Sequence, residues 1–580
     1  MLRPCLMYLL ILGFCCSYSC AQHNTTELAQ HQHSEHTQDI VAKLKENSHL
    51  SVIDQANLYR QLKADHPDAY NFENEDQLTM YGYGMLWNDQ PSDALTIFEL
   101  IAEQFPESSN AYDSLGEAYY VLGQKENALK NYQRSLAMNP DNYNAEDYID
   151  RIKYPNKKPK SPLDLFEEVY PTQAYLEDLD DLAHKLIKTH PGIFKFTSEQ
   201  DFRQLVEHQK SLIDDETTYG LFRWHCSKVI ANVHCSHTGM GGFYPENNML
   251  PDALRFPVQT TWISGRLYIV DAFSNNETLD QKDEIISING IPVNILIDDI
   301  YAHIPSQGFV ETSKRFVFNK WSTTLIPYAL GFPDSYIIDV RGRDKPVLLQ
   351  PTRTHNDPVD DITITNCSDD LCLELINSYS ALLSIKSFNY YRWNNYDTFT
   401  AYMDKAFLQL ENKNITDLII DLRGNGGGAP EASIYLLRYL SSKPFIYFSN
   451  VDPINGGGIQ EPFNHVFDGT LFFLIDGRGN STTGHFMAMV QEMDLGTIIG
   501  EELGSNQFCT AGQTIFKLKN TRMQFESANN ENRVSVTTRE DHRGILPDHY
   551  IQQDIHQYIE KIDAVKNYAV QLITQNAKSH

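Results

Sequence analysis

The sequence is poor in basic residues, and it has no long apolar run beyond its amino terminus. Lys and Arg number 47 against 76 Asp and Glu, which gives the 580-residue chain a formal net charge of −29. A surface of this sign repels nucleic acid and anionic lipid, although solubility alone also explains much of the charge. No later segment approaches the roughly 20 apolar residues of a membrane-spanning helix. We therefore expect no nucleic-acid partner and no membrane span.

Cysteine is also scarce, with nine in the whole chain and five after residue 21. Cys367 and Cys372 are close enough in sequence to form a disulfide in an oxidising compartment, and the odd count leaves at least one thiol free. No Cys or His spacing resembles a zinc site, because His234 and His237 have no third ligand nearby in the sequence. The residues thus predict neither a metal nor another cofactor.

The amino terminus has the three parts of a secretory signal. Arg3 precedes an apolar run from Leu6 to Phe14, and Ser19-Cys-Ala21 offers a small-residue cleavage site. This order predicts a signal peptide at residues 1–21 and a secreted or periplasmic protein. A lipoprotein modified at Cys20 is the alternative, but Ser17-Tyr-Ser19 fits a lipobox poorly.

A 34-residue repeat runs through the amino-terminal third. The same residue types recur one period apart: Gly82, Ala94, Phe98 and Pro106, then Gly116, Ala128, Tyr132 and Pro140. This spacing indicates tetratricopeptide repeats within residues 75–150, with a helical segment at residues 22–74 as a possible degenerate repeat. The helices would form either a groove for a protein partner or a packing module. Prolines and lysines then predict a linker over residues 151–165.

A hydrophobic strand that runs into a glycine-rich loop is the most informative segment. Leu418-Ile-Ile-Asp-Leu-Arg is followed by Gly424-Asn-Gly-Gly-Gly428. Glycines free the backbone to take positive φ, so that exposed N–H groups can converge on one oxygen. Such a loop can form an oxyanion hole, although simple turns and phosphate loops share the pattern.

A second strand, Leu471–Asp476, leads through Gly477-Arg-Gly-Asn to Ser481 and a segment with helical spacing. A serine at the start of a helix presents its hydroxyl beside the neighbouring N–H groups. Ser481 is therefore the predicted nucleophile, with a helix N-cap as the structural alternative.

This order of segments resembles the tail-specific (C-terminal processing) serine peptidases, and more closely the branch with the tricorn protease core and the interphotoreceptor retinoid-binding proteins. Further segments carry the resemblance: Thr189–Phe196, Cys235–Gly239, Gln281–Val293 and Gly544–Asp548. The resemblance implies a multidomain α/β protein with the tetratricopeptide helices in front. It would contain a helical subdomain at residues 166–255, a PDZ-like β domain at 256–350 and a crotonase-like (ClpP-like) catalytic core at 355–577.

The resemblance also implies a serine peptidase that cleaves peptides or unfolded protein segments. Ser481 would attack the carbonyl carbon, His237 would be the general base, and Asp541 would orient the imidazole. Three positions depart from the family pattern. The family has acidic residues where this chain has Cys235 and Gly484, and it has a Glu where this chain has Asp541. These departures leave a second hypothesis, a catalytically inactive protein that binds a peptide or an apolar ligand on the same fold.

The oxyanion is expected to be held by the N–H of Thr482 together with that of Gly426 or Gly427. The processing branch of the family uses a lysine base downstream of the serine, but Asn506 stands at that position here. A Ser–Lys dyad is therefore excluded. Nucleophile, base and oxyanion loop are all present, so the sequence favours the peptidase.

Overall fold

The structure is a computed structural model that describes residues 38–158, 160–240, 250, 252–351, 369–392, 395–448, 457–537 and 540–579. The chain divides into two compact units. The first comprises Met1–Pro159, Arg392–Asn395 and Thr514–Lys517, and the second the remaining residues. The expected signal peptide and Cys367 lie outside the described residues.

The first unit is helical. Its described residues form seven helices: α1 Ile40–Glu46, α2 Val52–Asp65, α3 Glu75–Trp87, α4 Pro91–Gln104, α5 Ser109–Val121, α6 Lys125–Met138 and α7 Tyr143–Lys153. A Cβ on Gly82 would lie 2.5 Å from the Phe98 ring, and one on Gly116 would lie 3.0 Å from the Tyr132 ring. The repeated Gly–aromatic pairs therefore set the close packing of α3 on α4 and of α5 on α6, as the sequence period predicts.

The second unit begins with four helices and an antiparallel sheet. The helices are α8 Pro162–Phe166, α9 Thr172–Thr189, α10 Glu199–Ser211 and α11 Tyr219–Ala231. The sheet contains β1 Gln259–Ile263, β2 Arg266–Asp271, β3 Glu284–Ile288, β4 Ile291–Pro292, β5 Ile337–Val340 and β6 Val347–Leu348. Its order is β1-β2-β3-β5-β6, with β4 paired to β3, and it is accompanied by α12 Val293–Tyr301 and α13 Glu311–Leu330.

A second six-stranded sheet forms the centre of the α/β part, in the order β16-β13-β12-β9-β8-β7. Its strands are β7 Leu371–Leu375, β8 Ser380–Ile385, β9 Asp417–Asp421, β12 Thr470–Ile475, β13 Thr497–Gly500 and β16 His549–Tyr550. All neighbours are parallel except β7 and β8. Two two-stranded sheets lie outside it: the short pair β10 Phe445–Ile446 with β11 Ile459–Gln460, and the longer pair β14 Phe508–Lys517 with β15 Gln524–Arg533.

Helices cover both faces of this sheet. The helices are α14 Tyr396–Asn412, α15 Pro430–Leu440, α16 Thr482–Glu492, α17 Ile555–Ile559 and α18 Ala564–Ser579. Ile420 and Phe473 pack in one core with residues of α14, α15 and α16. Ile419 and Phe472 face the other way, into a smaller core with Ala569 of α18. Parallel strands covered on both faces explain why β9 and β12 read as continuous apolar runs.

The predicted order of a helical amino-terminal region followed by an α/β domain is confirmed. Parallel β9 and β12 are hydrogen-bonded neighbours, so the loops at their carboxyl ends lie at the same edge of the sheet. That edge carries the glycine loop and Ser481.

Candidate active site

Ser481 is held in a strained backbone conformation immediately before α16. Its φ is 54° and its ψ is −123°, a region that non-glycine residues rarely occupy. Such a conformation costs about 1–3 kcal/mol and persists only where the surroundings enforce it. Ser481 occupies the N-cap position, but its side chain makes no capping hydrogen bond. The hydroxyl is therefore not used to hold the helix, contrary to the structural alternative.

The glycine loop after β9 touches this serine. A Cβ on Gly427 would lie 2.7 Å from the Asn480 carbonyl oxygen and 2.8 Å from Ser481 Cβ. The φ of Gly427 is 101°, which also favours glycine. In contrast, a Cβ on Gly426 would meet no atom within 4 Å. The loop thus packs tightly against the serine at Gly427, whereas there is free space beside Gly426.

Gly426 and Gly427, the two predicted alternatives for the second oxyanion donor, differ in whether their N–H groups already have an acceptor. The N–H of Gly427 donates to Asn425 Oδ1 over 2.9 Å, so it is already occupied. Within the described part of the chain, the N–H groups of Gly426 and Thr482 have no protein acceptor. Gly426 and Thr482 are therefore the available donors of the predicted set.

Asn425 joins the glycine loop to the beginning of α16, and its role was not predicted. Its side chain is fully buried and donates to the Ile385 carbonyl over 3.0 Å. Its Oδ1 accepts from the Thr483 hydroxyl over 2.9 Å, and its carbonyl accepts from the Asn480 N–H over 3.2 Å. Satisfied buried networks of this kind fix one arrangement of their members. The only sign of this role in the sequence was the presence of an Asn among the glycines of the loop.

His237 follows α11 and lies beside the loop that leads to Ser481. Ser236 Oγ donates to Asn480 Oδ1 over 2.9 Å and is 3.3 Å from His237 Nδ1. The residue is partly exposed, yet the surrounding protein desolvates the imidazole and lowers the pKa of His237 to about 4. The imidazole is neutral at neutral pH. Ser236 is a further site residue that the sequence reasoning missed.

Two other histidines belong to the same region. Burial lowers the pKa of His190 to about 4 and that of His485 to about 3, and the charge of His237 is the second cause for both. The Cys509 thiol lies 3.4 Å from His485 Nε2 and against the Ser481 hydroxyl. Burial raises the pKa of Cys509 to about 12, so this thiol stays protonated. No motif in the sequence marks these residues.

The predicted contact between Asp541 and His237 is wrong. The Asp541 carboxylate lies 2.8 Å from Lys195 Nζ and 2.6 Å from Arg533 Nη2, and it accepts from Gln507 over 2.6 Å. Burial raises the pKa of Asp541, but the hydrogen bonds and charges of Arg533 and Lys195 outweigh burial and lower it. Two cations thus hold the carboxylate.

Among the residues that the structure describes, no other acid takes the place of Asp541 beside His237. Glu540 is exposed and lies 3.6 Å from His542. Within the described ranges, no carboxylate comes within ion-pair distance of His237. The imidazole is therefore held by the neutral Ser236 hydroxyl.

Cys235 and Gly484 have packing roles. The Cys235 thiol lies 2.7 Å from the Thr510 hydroxyl and accepts from the His237 N–H over 3.3 Å. Burial raises its pKa, so it does not replace the missing acid by ionising. A Cβ on Gly484 would lie 2.6 Å from Ser505 Oγ and 2.7 Å from the Asn506 backbone nitrogen. A longer side chain has no room there.

Other sequence expectations can be compared with the described residues. Cys372 is disulfide-bonded, but its expected partner Cys367 is outside those residues. Cys226, Cys235 and Cys509 are free and buried. In the described ranges no group of three His, Cys, Asp or Glu side chains is placed to hold a metal ion. None of the helices described has the length and apolar character to span a membrane.

Comparison with known proteins identifies two domain types. Residues 380–551 match the model of peptidase family S41, and residues 109–142 match that of the tetratricopeptide repeat. Both predicted types are confirmed. A comparison with curated proteins found no match.

Several solved structures also match the chain. Mature CPAF complexed with lactacystin is 13% identical, with a TM-score of 0.48 and coverage of 70% of this chain and 99% of that chain. The tricorn protease is 15% identical, with a TM-score of 0.33 and coverage of 70% and 37%. The photosystem II D1 C-terminal processing protease is 11% identical, with a TM-score of 0.32 and coverage of 67% and 97%. Because these identities and TM-scores are low, the assignment to a peptidase family rests on the family models.

Proposed function

We propose that this chain, whose residues 380–551 belong to peptidase family S41, is a serine peptidase that acts on peptides or proteins through Ser481 and His237. The strained conformation of Ser481 carries this proposal. Its hydroxyl does not cap α16, and the glycine loop after β9 lies against the Ser481 side chain at Gly427. Strain of this kind is typical of functional sites, where a side chain is held ready for reaction.

The proposed reaction gives each of these groups one role. Ser481 Oγ attacks the substrate carbonyl carbon, and His237 accepts the hydroxyl proton. The oxyanion is stabilised by the N–H groups of Thr482 and Gly426. As the tetrahedral intermediate collapses, His237 returns the proton to the leaving amine.

The Ser236–Asn480 hydrogen bond supports this assignment of the base. Because Ser236 donates its only proton to Asn480 Oδ1, its oxygen is free to accept the Nδ1 proton of His237. That tautomer leaves the Nε2 lone pair to take the serine proton. A neutral hydroxyl stabilises the resulting imidazolium less than a carboxylate does, so we expect slower turnover than in a triad with an acid.

The remaining features of the proposal concern domains and location. We assign β1–β6 to a PDZ-like domain that holds an extended peptide by strand addition, and the α/β part to a crotonase-like core. The signal-like residues 1–21 favour a secreted or periplasmic protein. The domain boundaries proposed are those expected from the sequence.

A binding protein on the same fold is the second candidate. The observation that favours it is the lack of any described carboxylate at His237. In that case the open space at Gly426 would hold a peptide or an apolar ligand without cleavage.

A fluorophosphonate probe distinguishes the two. For a peptidase we expect one adduct per chain, located at Ser481 and absent from Ser481→Ala. His237→Ala should lower the labelling rate by at least ~10³, the scale of losing a triad member. His234→Ala is the matched control, because His234 Nδ1 lies 3.1 Å from the Gly308 carbonyl instead. Labelling that persists in Ser481→Ala contradicts the nucleophile, and no labelling of the folded protein favours the binding protein.

A further inference from the structure

The two loops that meet at the sheet edge begin with the same five-residue pattern. β9 ends in Asp421-Leu-Arg-Gly-Asn425, and β12 leads into Asp476-Gly-Arg-Gly-Asn480. In each loop the aspartate carboxylate accepts from the backbone N–H of the arginine two positions later, over 3.1 Å and 3.0 Å. It also accepts from the Nε–H of that arginine, over 2.9 Å in both loops. The pattern Asp-x-Arg-Gly-Asn therefore makes the same aspartate–arginine contact at the ends of two neighbouring strands.

The two arginines differ in what else they contact. Arg423 also donates to both carboxylate oxygens of Asp563, immediately before α18, over 2.7 Å and 2.8 Å. Arg478 lies against the other loop instead, since a Cβ on Gly424 would be 3.4 Å from its Cζ. Its guanidinium also lies 5.0 Å from the ring centroid of Phe316 on α13. Arg423 thus joins its loop to the carboxyl-terminal helix, whereas Arg478 lies between the two loops of the site.

Asp476 joins the two loops by hydrogen bonds. Its Oδ1 accepts from the Gly424 N–H over 3.1 Å and from the Arg478 N–H over 3.0 Å. The side chain is buried, and burial on its own raises the pKa of Asp476. The charge and hydrogen bonds of Arg478 outweigh burial and lower this pKa, so the group is ionised at neutral pH. One carboxylate oxygen therefore bridges backbone N–H groups of both loops.

The bridged positions lie close in sequence to the groups of the proposed reaction. Gly424 stands two residues before Gly426, and Arg478 stands three residues before Ser481. Because Gly426 and Ser481 are on different loops, the way in which these loops are joined sets the distance from the Gly426 N–H to an oxyanion at Ser481. Hydrogen bonds weaken steeply with misalignment, and an oxyanion donor acts best when it is in place before the reaction. The joint between the loops thus bears on rate as well as on stability.

We propose that Asp476 and Arg478 form a positioning pair that holds the Gly426 N–H against the oxyanion formed at Ser481. This role rests on the proposed peptidase function and deepens it at the same site. Neither side chain needs to touch the substrate, because Arg478 acts through Asp476. Without its cation, a carboxylate buried this deeply takes up a proton, and a protonated carboxyl holds the Gly424 N–H less firmly.

The test is fluorophosphonate labelling of the full chain, with the maximum labelling rate and the half-saturating probe concentration measured separately. We expect Arg478→Ala to lower the maximum rate ~10²-fold, the scale of one oxyanion donor, and to change the half-saturating concentration less than ~3-fold. Arg478→Lys should give an intermediate rate, because an ammonium group keeps the charge but not the paired donors. Arg203→Ala is the matched control, since Arg203 forms an exposed ion pair with Glu199 on α10, and it should keep both wild-type values.

Ethylguanidinium supplies a readout that a purely structural role would not change. The Arg478 side chain is 24% exposed, so its removal opens a site that a small guanidinium ion can reach from solvent. Millimolar ethylguanidinium should raise the maximum labelling rate of Arg478→Ala at least ~5-fold, the scale of one regained hydrogen bond. The same addition should leave the wild-type protein and Arg203→Ala unchanged.

The outcomes separate this inference from the function on which it rests. A wild-type protein that is not labelled would overturn both. Labelling of folded Arg478→Ala at the wild-type rate would overturn the positioning pair alone. A slower rate that ethylguanidinium does not restore would show that Arg478 is only structural, which also overturns it. Circular dichroism establishes folding, and if Arg478→Ala does not fold, Arg478→Lys decides: a reduced maximum rate supports the pair, and a wild-type rate contradicts it.

Discussion

Replacing Gly427 with alanine tests the contact on which the site depends. The new methyl group would lie 2.7 Å from the Asn480 carbonyl oxygen and 3.0 Å from the Thr482 backbone nitrogen. Both are backbone atoms and cannot rotate away. The φ of 101° adds strain of about 1–3 kcal/mol for a residue with a Cβ. The start of α16 must therefore shift, and Ser481 and the Thr482 N–H shift with it.

We expect Gly427→Ala to lower the rate of fluorophosphonate labelling by about 10²–10³, the cost of losing one oxyanion donor. Its urea midpoint should also decrease. Gly426→Ala is the matched control, because a methyl group there meets no atom within 4 Å and Gly426 has no positive φ. That variant should keep the wild-type stability. Wild-type labelling and stability in Gly427→Ala would refute the described contact.

Further expectations concern the base, the acid and pH. Ser236→Ala should lower the labelling rate ~3–10-fold, as for one neutral hydrogen bond, and move the ¹⁵N shifts of His237; unchanged shifts would contradict the contact. Asp541→Asn should lower the urea midpoint but leave labelling within ~10-fold, whereas a loss of ~10³ would restore Asp541 as the orienting acid. His190, His237 and His485 have folded-state pKa values of about 4, about 4 and about 3, below the ordinary 6.5. The unfolded chain therefore binds more protons, so stability should be full above pH 6.5 and fall toward pH 4. The decrease should be about 1 kcal/mol per pH unit for each of the buried imidazoles of His190 and His485, and smaller for the partly exposed His237; equal urea midpoints at pH 7 and pH 5 would contradict this.

Much of the fold could be predicted because its signals are local. The apolar runs at Leu418–Asp421 and Leu471–Ile475 are long enough to show buried parallel strands, and glycines mark where each ends. The 34-residue period that places Gly116 opposite Tyr132 is equally visible in the sequence, because the two helices of each repeat pack against each other. The glycine loop and Ser481 then meet because parallel neighbouring strands end at one edge.

The contacts that hold the site could not be predicted in the same way. Counting along the chain aligned Asp541 with the family acid, but it could not show that Lys195 and Arg533 converge on that carboxylate. The positions of His485 and Cys509 beside Ser481 depend on the packing of β14 against α16. Side chains without a motif acquire their roles from tertiary contacts alone.

Gly484 is one of the departures from the family pattern that leave the inactive binding protein as a second hypothesis, and its surroundings give it another meaning. A Cβ at this position would lie 2.7 Å from both the backbone nitrogen and the backbone oxygen of Asn506. Asn506 in turn donates from its side chain to the carbonyls of Asp541 and Arg543, over 3.0 Å and 2.7 Å. The segment at Asn506 therefore leaves no room for a side chain at position 484. Gly484 reflects how this segment packs against α16 and does not by itself indicate a lost activity.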